Sequence, residues 1–161
     1  MLKDLRRKVA GKKAQNVGKH FEYLFEKSCS IQGVTCIALP DGCETKGFNP
    51  QTKRPNIIRV KMPFDYILRH QKHLAFIDTK TVEGKTFCYS DLTLHQTSAL
   101  NQLSISAVSG LVIWFRSLDS VQFYSVERML RLLPGDSVGP EKEPGIYLGT
   151  SYNFDVKQIF P

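Results

Sequence analysis

Asp65 and Asp78 each stand inside a short apolar run of strand type, Phe64-Asp65-Tyr66-Ile67-Leu68 and Ala75-Phe76-Ile77-Asp78-Thr79-Lys80, where a packed sheet ordinarily takes no acid. The polar link Arg69-His70-Gln71-Lys72-His73 reads as a loop, so the runs are expected to pair as a hairpin that brings the two carboxylates near each other. Two such carboxylates repel unless a cation lies between them, and Mg²⁺ is typically held by one or two carboxylates with water and substrate phosphate. Lys80 alternates onto the face of Asp78. Phosphodiester cleavage asks for this set: a metal that holds the phosphate and acidifies a bound water, and positive charge for the transition state. Asp65 and Asp78 supply the metal site and the Thr79 backbone carbonyl a further ligand. Lys80 orients the nucleophile and offsets developing charge. Glu22, on a predicted helix, completes the shell directly or through water, with Glu26 one turn away as its rival.

The charge pattern agrees with a polyanionic substrate. The chain is net +7, and residues 1–19 and 46–72 are each locally +6 while the remainder is −5. Two separate basic clusters point to nucleic acid phosphate. The contacts are assigned to Arg6, Arg7, Lys8, Lys12, Lys13 and Lys19 in the first cluster, and to Lys53, Arg54, Arg59 and Lys61 in the second. No apolar run approaches the about 20 residues that cross a bilayer, and the basic N-terminus has no apolar run behind it, so no membrane role and a cytoplasmic location are expected. Cys29, Cys36, Cys43 and Cys88 form no C-x-x-C pair and are expected as free thiols. The even spacing of the first three, even with His20, does not match zinc-ligand spacing. Lys85-Thr86 after Gly84 lacks the glycine that a phosphate loop needs at position 79.

The elements that must position these residues follow from periodicity. Residues 1–15 read as a basic flexible arm or frayed helix, and residues 16–161 as a single domain with a basic loop or protruding hairpin at 41–61. Apolar spacing predicts a helix from Val17 to Cys29 capped by Asn16, and a second from an Asp91 cap to about Val108. Leu111 to Phe115 reads as a buried strand, Val121 to Ser125 as another, and Glu127 to Leu133 as a short helix. A minor strand is expected after Gly145. The order implies an α/β fold, a mixed sheet flanked by helices.

Pro63-Phe64-Asp65 followed by Asp78-Thr79-Lys80 resembles the signature of the PD-(D/E)xK nuclease superfamily, which implies the restriction-endonuclease-like fold. Gly18-Lys19-His20-Phe21-Glu22, Phe76 to Thr81 with Lys85-Thr86-Phe87, Leu94-His95-Gln96, and Gly110 to Phe115 resemble the RecU-type Holliday junction resolvases and their phage relatives. The likeness spans roughly residues 16 to 133. It implies a Mg²⁺-dependent hydrolase, with Mn²⁺ as a substitute, that acts as a homodimer on branched DNA in recombination and repair, in a bacterial or phage-infected cell. Carried over, Glu22, Asp65 and Asp78 serve the metal, Lys80 the catalysis, and Gln96 makes a polar contact near the site. Asp78 stands where that family usually has Glu, and 41–61 departs from its stalk. Two other readings stay open: a related nuclease with a different DNA substrate, and a DNA-binding module that breaks no bond.

Overall fold

The computed structural model describes the backbone of every residue except Met1, Asp41, Pro50, Lys53, Lys61 and Pro134, and the side chains of 15–40, 51–52, 62–133 and 135–161. The chain opens with α1 (Leu2–Ile31), followed by β1 (Thr35–Ala38) and a separate antiparallel pair, β2 (Gly42–Asn49) and β3 (Arg54–Val60). Then come β4 (Tyr66–His70), β5 (His73–Val82), β6 (Phe87–Cys88), α2 (Leu94–Ser104), β7 (Val108–Phe115) and β8 (Ser120–Ser125). A short α3 (Val126–Met129) leads to β9 (Ser137–Val138), β10 (Ile146–Thr150) and β11 (Asn153–Phe154). Among the described residues no helix is long and apolar enough to cross a membrane.

Seven strands form one sheet in the order β1-β4-β5-β7-β8-β10-β11. It is mixed, as expected: β5 runs parallel to β7, with α2 as the crossover, and the other pairs are antiparallel. Alternation along β7 sends Leu111 and Ile113 into a core with Leu100 of α2, and Val112 into a second core with Phe21, Leu24 and Phe25 of α1. Helices thus cover both faces. Aromatic pairs fix α1 on its face: Phe21 lies 5.5 Å from Trp114, and Phe25 lies 5.1 Å from Tyr66.

Several boundaries differ from the sequence expectation. Residues 2–14 enter as helical backbone, where the sequence reads as an arm or a frayed helix, so Asn16 lies within α1 and caps nothing. Lys, Arg, Ala, Gln and Leu dominate that stretch and favour helix without any apolar stripe, which outweighs Gly11. Segment 41–61 takes the hairpin form in its own two-stranded sheet. The β4–β5 link shrinks to Gln71-Lys72, with Gln71 at φ 53. α2 starts at a Thr93 cap and stops at Ser104, and the helix expected over Glu127 to Leu133 is the shorter α3.

The chain closes on its own beginning. Gln32, just past α1, donates Nε2–H to the Phe154 carbonyl at 2.7 Å and accepts from the Val156 N–H at 2.9 Å. Phe154, Val156, Ile159 and Phe160 are all buried in the α1 core.

Gly110 sits where β7 and β8 approach most closely: a Cβ there would run into the Tyr124 carbonyl oxygen and come within 2.7 Å of the Phe123 ring. Gly110→Ala is expected to destabilise the fold by about 3 kcal/mol in urea titrations. Gly84→Ala, with nothing within 4 Å of the added methyl, serves as the neutral control. Equal midpoints for the two variants would contradict the packing described.

Candidate active site

Asp78 is 1% exposed on a central strand. A carboxylate is tolerated there only when partners replace its lost water. Alternation places it on the face of β5 opposite the α1-facing Ile77, toward α2. There its Oδ1 accepts from Gln96 Nε2 at 3.1 Å, while Oδ2 stands 2.5 Å from Lys80 Nζ. Gln96 is itself held. Its Oε1 accepts from the Thr93 N–H at 3.2 Å and the Thr93 hydroxyl at 3.1 Å, and its own N–H donates to Thr93 Oγ1 at 3.2 Å. This reciprocal cap satisfies the first turn of α2 and orients the amide in one step.

Asp65 is positioned from the neighbouring strand. Its N–H donates to the Ile77 carbonyl at 2.9 Å and its carbonyl accepts from the Leu39 N–H at 2.8 Å. The preceding Phe64 packs edge-on against Phe76 with centroids 5.1 Å apart. Asp65 Oδ2 accepts from both the N–H and the hydroxyl of Thr79, each at 2.8 Å. Asp65 is therefore tied to Thr79, the residue next to Asp78 on β5.

Glu22 reaches the vicinity from α1, on the other face of the sheet. Most of its surface is exposed, while partial burial of its carboxyl, then the charges of Asp65 and Glu26, hold its pKa above the usual carboxylate range against the opposing pull of Lys19. Glu26 is engaged elsewhere: its Oε1 accepts from the Tyr66 hydroxyl at 3.1 Å. Burial and the Glu26 charge push that phenol up, so it remains a protonated donor. Of the two glutamates, Glu22 is the one whose carboxyl feels Asp65.

The structure forms two bonded sets on adjacent residues of β5, Asp65 with Thr79 and Asp78 with Lys80 and Gln96, and Glu22 is an electrostatic neighbour of Asp65. Among the described residues no three His, Cys, Asp or Glu side chains draw together closely enough to hold a metal ion. The oxygen donors of Asp65 and Asp78 are of the type a hard divalent ion takes, with water and phosphate filling the remaining positions, and a cation there would offset the part of the Glu22 shift that comes from Asp65, the larger part coming from burial. Lys19 is exposed on α1. Arg6, Arg7, Lys8, Lys12 and Lys13 lie on α1 and Arg54 and Arg59 on β3, but their side chains, with Lys53 and Lys61, fall outside the described residues. Cys29, Cys36 and Cys88 are free thiols. Sequence reasoning missed Thr93, the Thr79 hydroxyl and Tyr66. The spacing Thr93-x-x-Gln96 was a readable signal for the first, whereas nothing local marks the other two.

No family model matches this chain, and no curated protein does. Among solved structures it is similar to Hjc of Archaeoglobus fulgidus, a Holliday junction resolvase from an archaeal hyperthermophile, at 14% identity over 68% of this chain and 78% of that one, with a TM-score of 0.48. A likeness of that degree carries no functional argument.

Two predictions follow from the geometry. Gln96→Leu removes the amide donor from a buried carboxylate and is expected to cost about 2 kcal/mol in urea denaturation. An unchanged midpoint would mean that the bond is not made in solution. Because the folded state raises the Glu22 pKa, it binds that proton more readily than the unfolded chain does, so stability is lost as pH rises through the folded pKa. In EDTA, wild type is expected to lose melting temperature relative to Glu22→Gln as pH climbs from about 4 to about 7. Parallel curves would rule out the raised Glu22 pKa.

Proposed function

We propose that this chain is a divalent-metal-dependent endodeoxyribonuclease that resolves four-way DNA junctions by paired nicks. The observation that supports the reading best is the buried Asp78, gripped by Lys80 and Gln96 and linked through Thr79 to a second carboxylate from the adjacent strand. A structural ion pair needs neither the second acid nor a helix cap aimed at the first. The RecU-type assignment rests on the residues alone.

Each residue then has a physical task. Asp65 and Asp78 would hold Mg²⁺, or Mn²⁺ in its place, with Thr79 and Glu22 as further candidates, and the ion would supply phosphate polarisation and a more acidic water. Gln96 keeps the Asp78 carboxylate in one orientation. Thr79 does the same for Asp65 through two donors. Lys80 carries the positive charge that a phosphorane-like transition state needs at close range. Lys19 and the basic residues of α1 and β3 would contact backbone phosphate, which supplies affinity without sequence preference. Paired cuts on a two-fold symmetric junction require two sites in matching symmetry, so the acting species is a homodimer.

Incubation with a four-way junction, a linear duplex and a single strand, in Mg²⁺ and in EDTA, tests this. Symmetric nicks in the junction, only with Mg²⁺, are expected. Asp78→Asn and Lys80→Ala should each slow cutting by about a hundredfold or more while shifting junction affinity less than about threefold. Cutting of duplex or single strand in place of the junction would move the assignment to a related nuclease. Binding without cutting in any metal would overturn it.

A further inference from the structure

The outer flank of α1 carries aromatic surface that the nuclease site does not use. Phe21, Leu24 and Phe25 point α1 into the core. At about 100° per residue, Glu22 and His20 fall on opposite flanks of that stripe. The Glu22 flank faces Asp65. The His20 flank faces the β10–β11 turn, where the His20 and Tyr152 ring centroids lie 6.5 Å apart with planes at 62°. Tyr152 is 77% exposed, and Tyr23, on the ridge between the flanks, is 58% exposed.

An exposed tyrosine at a turn tip usually means little, but the backbone of this turn is braced. Gly149 has φ +142, and a Cβ there would strike the Asn153 carbonyl. Ser151, next to the tyrosine, is buried, and its N–H donates to Asp119 Oδ1 at 3.1 Å. The same oxygen accepts from Trp114 Nε1 at 3.1 Å, and Trp114 packs on Phe21 of α1. The turn is therefore braced through β7 to the helix that carries His20. The exposed Tyr152 ring thus stands on a braced turn beside His20, and a turn already ordered costs a ligand less to engage.

We propose that Tyr152 and His20 form a stacking platform for an unpaired DNA base. This rests on the nuclease reading above and names a substrate feature: an unstacked base near the cut. Every base offers a π-face to an aromatic ring, but in a continuous duplex those faces are covered by neighbouring pairs, so the platform selects bases at branch points, gaps or single strands. A strand leaving the Glu22 flank crosses α1, about 10–12 Å wide, to reach Tyr152, and exposed Lys19 stands on the ridge between them, suited to a phosphate.

The test uses 2-aminopurine placed beside the cut in a four-way junction and in a single-stranded oligonucleotide, with fluorescence read in EDTA so that no cutting occurs. Wild type should quench the probe on binding, Tyr152→Phe should do the same, and Tyr152→Ala and His20→Ala should lose the quench. Tyr152→Ala should bind the single strand about tenfold more weakly, with duplex affinity unchanged. Quenching and affinity unaltered in Tyr152→Ala, in a protein that still cuts junctions in Mg²⁺, would overturn the platform alone. A wild-type protein that neither binds nor cuts any of these DNAs would overturn the nuclease reading as well. Thermal melts of the three variants check that the fold is intact.

Discussion

An ionised carboxylate in the middle of a sheet is costly, and the architecture around Asp78 reads as the answer to that constraint. The amide of Gln96 has to arrive at one oxygen, which requires α2 to begin where it does, capped by Thr93. Lys80 has to lie two residues along the same strand. β5 must be flanked on both sides to keep the group dry, and it is, by β4 and by the parallel β7. Parallel pairing in turn needs a crossover long enough to hold a helix, and α2 is that helix. One acid thus ties together strand order, helix start and strand register.

The second acid comes from the other direction. Asp65 lies just before β4 and is fixed by Thr79, while Glu22 approaches from α1. Burial first, and then the charges of Asp65 and Glu26, hold the Glu22 pKa up. The excess positive charge is carried elsewhere in the sequence, in the segments of α1 and of β2–β3. The chain separates the charge that would attract a polyanion from the charge that would hold a cation.

Much of this was legible in the residues. The hairpin followed from two apolar runs that each tolerate an acid, and the placement of Lys80 beside Asp78 followed from alternation, whereas the bond of Asp65 falls on Thr79. The mixed sheet flanked by helices followed from element order. What escaped depended on weaker signals. The first helix was cut short at Asn16 because apolar periodicity begins at Val17, whereas the preceding residues extend the helix by backbone preference alone. The sequence offers Asp91 as a cap for the second helix, but Thr93, three residues before Gln96, makes the reciprocal bonds. The choice between Glu22 and Glu26 was open because both share a helix face. Only the position of Tyr66, forty residues away, separates them.

Gln32 grips Phe154 and Val156 across more than 120 residues of sequence, and residues 154–160 finish the apolar bed on which α1 lies. Translation makes the helix more than 120 residues before it makes that bed. Until that far segment is translated, the aromatic side of α1 has no completed surface to settle on and must be shielded, by solvent-tolerant fluctuation or by a chaperone. Glu22 is therefore held beside Asp65 only once residues 154–160 have joined the core under α1.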